Sequence, residues 1–474
     1  MQLTNNRITK LLWIAIEKGG MTLVSIVTFF VYAKLLTPEQ FGYAIFALAV
    51  GQGIAMIFAN LFEDALIQQS AASKKHYDTA FWGGLIFSLL SCSLVAIWLF
   101  STQSNRVLTE LIAFSLLIIV FVGMSSIYVA NARIEGDFKL LAKRSVIARL
   151  IGAACGITMA FKGFGPLSVV IQAVLIEVIS FFYLAVRRPQ RIGFDVGITE
   201  FKELSAIGWL LCLRRLSWDG TTRGLPLILG TVAGPAAVGL FGFAWRTVEM
   251  PRSAISSGLM SYALPAFSRK KDDKEELQEL FIGMTRYTAL LVVPLFVGLA
   301  ATAPTLIPLI FGDKWLEAIV PVQVMSLIGL VSLLRVYAPS LFTALARPNV
   351  SLTSDIVSTL AALVCTLILA DDFGVYAAVF GLITRSVISV PFSVMGINKV
   401  LKLNGFTQLS PVVVPCVASI GMAVVVHMLG HVISQSTSWL LLTYQVTGGT
   451  IVYFSLVLIL MPNVKTHWGL FINR

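Results

Sequence analysis

Charge is scarce in this sequence. Asp, Glu, Lys and Arg make up 12% of its 474 residues, against 57% hydrophobic, and the mean hydropathy is +0.86. A soluble globule with so little polar surface could not cover its apolar side chains, so that class is excluded and a polytopic membrane protein is expected. Cysteine is scarce too. The five (Cys92, Cys155, Cys212, Cys365 and Cys416) lie singly in apolar runs, without the paired spacing of a disulfide framework or a metal site. Of four histidines, His427 and His431 stand one helical turn apart with no acid or thiol beside them, a pattern of interfacial packing rather than metal binding. No Gly-Lys dipeptide occurs, which removes the standard phosphate-cradling loop. No polar connection exceeds about twenty residues, so a soluble catalytic or ATPase domain has no room. The sequence implies no cofactor, no metal and no catalytic residues, and energy must come from a gradient, the substrate or a partner.

What the chain has is apolar runs of helix length. Read with a window of about 19 residues, they give fourteen expected transmembrane helices. The approximate limits are 9–34, 41–67, 78–100, 107–130, 139–161, 166–187, 204–228, 236–258, 281–303, 318–342, 349–370, 374–397, 410–430 and 439–461. Met1 to Lys10 is polar and no small-residue cleavage site follows, so the first run is expected to stay in the protein. An even number of spans puts both termini on one side. Of the 35 Lys and Arg, 21 fall in the loops expected inside and four (Lys34, Arg106, Lys162 and Lys314) on the outer side, which places both termini in the cytoplasm. The formal charge of +11 is then mostly a matter of topology, and no nucleic-acid partner is implied.

Ten cations remain within spans, eight of them in the second half: Arg214, Arg215, Arg223, Arg246, Arg252, Arg286, Arg335 and Arg385. Lys18 and Arg149 are the other two. At 1.5 Å per residue, Arg214 and Arg246 lie about 15 Å into their runs, near the midplane of a bilayer roughly 30 Å thick, and Arg385 reaches a similar depth. A cation there costs at least ~2.5 kcal/mol on insertion scales, so it should face a wet or protein-lined interior on the path of something anionic. Arg suits an anion with several oxygens, because its planar fork donates two hydrogen bonds and stays charged when desolvated. The expected anion-binding set is therefore Arg214, Arg246, Arg385, Arg335, Arg149, Arg215, Arg223 and Arg252. A structural reading stands beside it. Arg215, Asp219 and Arg223 are spaced i, i+4, i+8, and Arg246, Glu249 and Arg252 are spaced i, i+3, i+6, so each acid can neutralise cations on its own helix. Arg214, Arg335, Arg385 and Arg149 have no acid three or four places away and need another helix, water or substrate. Arg286, close to its span's start, reads as a snorkelling side chain. Glu17, Asp219 and Glu249 are the acids expected to take part in any ion coupling. Trp13, Trp98, Trp315 and Trp439 fall near span ends as interface anchors should. Trp209, Trp218 and Trp245, beside the basic residues, read as core packing before sugar stacking.

The chain also repeats itself. Leu36-Thr37-Pro38-Glu39-Gln40-Phe41-Gly42 after the first span is answered by Gly234-Pro235-Ala236-Ala237-Val238-Gly239-Leu240-Phe241-Gly242 after the seventh, pairing Gly42 with Gly242 at an offset of 200. Ala130 to Arg133 is answered by Ala344 to Arg347 at 214, and Gly163-Phe164-Gly165 by Asp372-Phe373-Gly374 at 209. Six spans is an even number, so the two units should be parallel repeats about an axis along the membrane normal. The expected organisation is a six-helix lobe over 1–188, a second over 203–400, and two further helices over 408–462.

Four stretches carry a resemblance. Leu35-Leu36-Thr37-Pro38-Glu39-Gln40-Phe41-Gly42, Pro265-Ala266-Phe267-Ser268-Arg269, Leu309-Ile310-Phe311-Gly312-Asp313-Lys314-Trp315 and Ala344-Leu345-Ala346-Arg347-Pro348 resemble signatures of the bacterial polysaccharide transport family. That family belongs to the multidrug, oligosaccharidyl-lipid and polysaccharide exporter superfamily. The resemblance implies an inner-membrane flippase of fourteen helices in two six-helix lobes. Such a protein would move undecaprenyl-diphosphate-linked oligosaccharide units to the outer leaflet for O-antigen, capsule or exopolysaccharide assembly. Its partners would be the lipid-linked oligosaccharide, membrane lipids, and a polysaccharide polymerase with its chain-length machinery. The chain departs from the family pattern at Asn60 and Phe62, where Asp and Gly are frequent, and at Gly224-Leu225-Pro226, where an acid is common. An exporter of drugs would more naturally carry acids in its cavity, and an integral-membrane glycosyl-transfer enzyme would want a long acidic extracytoplasmic loop.

Overall fold

A computed structural model describes residues 2–69, 72–101, 105–188, 192–347, 349–432 and 439–461, with the backbone only for residues 2–18, 58, 60, 214, 217, 218, 349–351 and 432. The described residues are helical throughout, joined by short turns. In chain order the helices are α1 (Gln2–Leu35), α2 (Pro38–Phe58), a π-helix (Ala59–Asp64), α3 (Ala65–Gln68), α4 (Lys74–Ser101), α5 (Arg106–Ile134), α6 (Phe138–Phe161), α7 (Pro166–Arg187), α8 (Ile198–Val232) and α9 (Pro235–Arg269). There follow α10 (Lys274–Phe311), a 3-10 turn (Asp313–Ala318), α11 (Ile319–Leu334), α12 (Ala338–Ala344), α13 (Asn349–Phe373), α14 (Val375–Leu401), α15 (Gly405–Val432) and α16 (Trp439–Leu460). Eleven stretches of the described residues are long and apolar enough to cross a membrane. The 35-residue helices α8 and α9, which carry the internal charges, are not among them. Outward apolar side chains such as Leu94 (68% exposed) and Ile368 (69%) are placed as a lipid-facing surface requires. The chain divides into two compact units, Met1–Gly242 and Phe243–Arg474, so α8 packs with the first unit.

The Leu36–Gly42 signature has a local cause. Thr37 caps α2: its hydroxyl accepts from the Gln40 N–H at 3.2 Å while the Gln40 side chain accepts from the Thr37 N–H at 3.2 Å, and Pro38 opens the helix. Leu36 and Phe41 are buried behind the cap. Gly42 is required by a close approach. A Cβ built there overlaps the Pro235 carbonyl, 2.6 Å from its carbon and 2.9 Å from the Gly239 nitrogen. A Cβ on Gly239 overlaps the Pro38 carbonyl, 2.7 Å from its carbon and 3.0 Å from the Gly42 nitrogen. This reciprocal contact pairs Pro38-x-x-x-Gly42 with Pro235-x-x-x-Gly239 at an offset of 197, whereas Gly242 meets Ile45.

The other two landmarks behave differently from each other. After α5, Gly136 (φ +70) ends the helix with the Asp137 N–H bonded to the Ala132 carbonyl at 2.9 Å; after α12, Ala346 (φ +55) does the same with the Arg347 N–H on the Phe342 carbonyl at 2.8 Å. The two turns, at Gly136 and Ala346, lie 210 residues apart. Gly165 (φ 55, ψ −130) and Gly374 (φ 52, ψ −125) precede α7 and α14 in nearly the same glycine-favouring conformation, at the offset of 209.

Two expected spans are interrupted. The second contains the π-helix, where Gly208 of α8 packs against the Leu61 carbonyl and Phe62 is wholly buried beside Phe201. The tenth breaks at Arg335–Tyr337 because Pro339 has no N–H to offer the Arg335 carbonyl; that oxygen accepts instead from Ala338 at 3.1 Å. The connection before α8 is clamped onto α4. The Gly193 N–H donates to Asp78 Oδ1 at 2.9 Å, Trp82 Nε1 donates to the Gly193 carbonyl at 2.9 Å, and the Gly197 N–H donates to Thr79 Oγ1 at 3.1 Å. Lys75 pairs with Glu200 at 3.3 Å, and the Glu200 carboxyl is held below the usual carboxylate range by its own backbone N–H first and by Lys75 second.

In the second unit, Phe243 lies against Trp315 (stacked, 4.2 Å) and Phe311 (edge-on, 4.9 Å), with Gly312 (φ +88) turning the chain between the last two. Trp315 is wholly buried, so this tryptophan is a core residue and not the interface anchor its position suggests, while Trp98 and Trp439 are exposed. Helices α15 and α16 pack on α10, where the Tyr453 hydroxyl donates to the Leu290 carbonyl at 2.7 Å.

Candidate functional site: basic clusters among the helices

The side chains of Glu17 and Arg214 lie outside the described residues, as does that of Trp218. The remaining predicted residues fall into local groups. In the first unit, Arg215 pairs with Asp219 at 2.9 Å. Arg223 does not complete that same-helix ladder by contact: its Nη1 donates to Gln52 Oε1 of α2 at 2.5 Å. Arg149 of α6 donates from Nη1 to Ser25 Oγ of α1 at 2.6 Å, and Glu177 of α7 is within electrostatic reach of Arg149 and Arg144. A further network stands at the π-helix, where Arg133 contacts Glu63 at 2.9 Å and Asp64 at 3.6 Å.

In the second unit, Arg252 grips Glu249 through Nε and one terminal nitrogen, both at 2.6 Å. This two-point grip ties Glu249 to its own helix, as the structural reading anticipates. Arg246 stands one turn earlier on α9 and is half-buried. Arg335, at the break after α11, reaches α14 and donates from Nη1 to Ser389 Oγ at 3.1 Å and from Nη2 to the Ser389 carbonyl at 2.5 Å. Asp355 of α13 is within electrostatic reach of both Arg385 and Arg335. Arg385, Arg335 and Asp355 thus gather in the second unit, and Arg149, Arg144 and Glu177 in the first.

Four partners escaped the sequence reading: Ser25, Gln52, Ser389 and Asp355. A serine or glutamine in a helix carries no signal of its own, but Asp355 does, since an acid inside an apolar span needs a cation nearby. Among the described residues, the buried Nε atoms of Arg149, Arg223 and Arg335 have no hydrogen-bond partner. Each of these guanidiniums is anchored through a terminal nitrogen, Arg149 on Ser25, Arg223 on Gln52 and Arg335 on Ser389. No group of three His, Cys, Asp or Glu able to hold a metal occurs among the described residues, and the His427 and His431 Nε2 atoms, 3.1 Å apart, meet only each other in that set.

A family model described as polysaccharide biosynthesis protein matches residues 31–320. The teichuronic acid biosynthesis protein TuaB of Bacillus subtilis is 23% identical over 347 residues, 72% of this chain and 71% of its own length. The succinoglycan biosynthesis transport protein ExoT of Rhizobium meliloti is 25% identical over 314 residues, 65% of this chain and 63% of its own length. Among solved structures, the lipid II flippase MurJ shares the fold, with a TM-score of 0.78 at 14% identity over 96% of this chain and 99% of its own. The match to residues 31–320 takes in the capped entry to α2, the reciprocal glycine contact, the arginine-bearing helices α6, α8 and α9, and the Phe311–Trp315 turn. By that match the chain belongs to the polysaccharide biosynthesis protein family.

Proposed function

We propose that the chain carries undecaprenyl-diphosphate-linked oligosaccharide units from the inner to the outer leaflet of the bacterial cytoplasmic membrane, by alternating access and without chemistry on the substrate. The observation that carries this reading is the set of arginines anchored on polar partners from other helices, Arg149 on Ser25, Arg223 on Gln52 and Arg335 on Ser389, in a family devoted to polysaccharide synthesis. The names of two similar proteins, a succinoglycan transport protein and a lipid II flippase, point the same way. The product would feed O-antigen, capsule or exopolysaccharide assembly, in concert with a polymerase and chain-length machinery. Fourteen spans with both termini in the cytoplasm, arranged as six-helix lobes over 1–188 and 203–400 plus helices over 408–462, complete the proposal. A diphosphate of about two negative charges moving outward down an inside-negative potential gains ~2.3 kcal/mol per charge per 100 mV if uncompensated. Resetting the empty carrier would fall to ion coupling, with Glu17, Asp219 and Glu249 as the acids to examine.

The test is surface-polysaccharide output against membrane protein level for Arg149→Ala, Arg214→Ala, Arg246→Ala, Arg335→Ala and Arg385→Ala. Output is expected to fall at normal abundance, because a charge-assisted bond of ~1.5 to 3 kcal/mol to the substrate is lost. Lys should restore it in part, since a point charge lacks the bidentate fork. Normal output at normal abundance for all five would end the proposal.

A further inference from the structure

The connection between α7 and α8 lies outside every span the sequence suggests, yet it turns apolar side chains outward. Phe194 is 84% exposed, Val196 53% and Ile198 70%, while Ile192 packs against the core of the first unit. What holds the segment is its backbone. Asp78, Trp82 and Thr79 of α4 take up the Gly193 N–H, the Gly193 carbonyl and the Gly197 N–H. Within the segment the Val196 N–H donates to the Phe194 carbonyl at 3.0 Å, and the Gly197 carbonyl accepts from the Phe201 N–H at 3.0 Å. A loop in water can leave such groups to the solvent; at the edge of a bilayer they need partners from the protein.

The depth of the segment follows from α4. Trp82 lies about 12 Å along the helix from Lys74, and about 6 Å inside the apolar run that begins at residue 78. Phe194 stacks on the Trp82 ring at 5.0 Å. At spacings of four from Trp82 stand Ile86, Leu90 and Leu94, all exposed on the stripe that faces lipid. Phe194 thus continues an existing lipid-facing surface toward the N-terminal end of α4. Lysines border it. The exposed Lys74 places its Nζ 3.8 Å from where a Cβ on Gly193 would stand, and Lys202, also exposed, follows Ile198 by one turn on the same face of α8. Apolar side chains edged by lysines match a leaflet, with acyl chains below and anionic headgroups above.

We infer that residues 192–198 form a membrane-embedded strap. Phe194, Val196 and Ile198 enter the boundary between acyl chains and headgroups in the leaflet at the N-terminal end of α4, and Lys74 and Lys202 take the anionic headgroups there. The strap leads straight into α8, so it sets the depth at which that helix enters the bilayer. The inference holds whatever the substrate, because it uses none of the internal arginines.

The test is photocrosslinking of the full chain in nanodiscs of equal parts phosphatidylglycerol and phosphatidylcholine, with p-benzoylphenylalanine in place of Phe194. The excited ketone adds across a C–H bond, so a lipid adduct has the summed mass of chain and lipid. Yields should match those from the same probe at the lipid-facing Leu94 and exceed those at Lys271, which is exposed in the turn after α9. A yield no higher than at Lys271, or a crosslink to a second copy of the chain in place of lipid, overturns the inference. Phosphatidylglycerol adducts should outnumber phosphatidylcholine adducts by about fivefold, the effect of one lysine near an anionic surface, and the excess should vanish in the double variant Lys74→Gln, Lys202→Gln. Equal yields from the two lipids without those substitutions refute the part given to the lysines. The probe in place of Ile198 gives the same readings if the variant at Phe194 fails to insert.

Discussion

Replacing Gly42 by Ala sets two effects against each other on one residue. In a helix interior Ala is favoured over Gly by about 1 kcal/mol. Against that, the added Cβ overlaps the Pro235 carbonyl and lies 2.6 Å from its carbon and 2.9 Å from the Gly239 nitrogen, all backbone atoms that no rotamer change can move. Contacts of this kind settle near 3.5 Å and the carbonyl oxygen lies nearer than its carbon, so the start of α9 must retreat by more than about 1 Å. Overpacking of this kind costs about 1 to 3 kcal/mol, and the rigid neighbour argues for the upper part of that range. The net expectation is a loss of about 1 to 2 kcal/mol, a fall of roughly 2 to 8 °C in unfolding midpoint for a unit of this size. Gly53, on the same helix, has nothing within 4 Å of its Cβ position. Gly53→Ala should therefore show the propensity gain by itself, a rise of up to about 4 °C. Thermal unfolding of the purified protein in detergent, at one scan rate, compares the two directly. Gly239→Ala should behave like Gly42→Ala because the contact is reciprocal. A Gly42→Ala midpoint at or above that of Gly53→Ala would refute the reasoning.

Two further outcomes follow from local geometry. Trp315→Ala removes a wholly buried ring stacked on Phe243 and should cost about 3 to 5 kcal/mol, seen as a loss of membrane-inserted protein, while Trp315→Phe retains most of it. Gly374→Ala puts its methyl into open space but forces a non-glycine residue to φ +52, so the midpoint should drop by the equivalent of about 1 to 3 kcal/mol through backbone strain alone; an unchanged midpoint would contradict that.

The helical class and the approximate course of the spans were legible because apolar run length is a one-dimensional property, and spacings of three or four residues are read as directly. Same-helix pairing was legible for the same reason, as Arg215 with Asp219 and Arg252 with Glu249 show. Partners from other helices were not: nothing near Arg149 in the chain announces Ser25, and nothing near Arg335 announces Ser389. The close approach of Gly42 to Gly239 was not legible, because the shared Phe-Gly dipeptide is more conspicuous than the Pro-x-x-x-Gly spacing that makes the contact. The break at Arg335 was hidden within a continuous apolar run, although Pro339 four residues later holds its cause.

The first compact unit takes in α8. Leu204 of α8 is wholly buried among Phe62, Phe81, Phe181 and Leu184 of the first unit, with Phe201 and Ile207 beside it. During synthesis, then, the helices ahead of α8 leave the ribosome with one face of their core unfilled, and it stays open until α8 has been made, on the order of seconds at 5 to 20 residues per second. The helices ahead of α8 therefore cannot finish their core until the helix that follows them has been inserted.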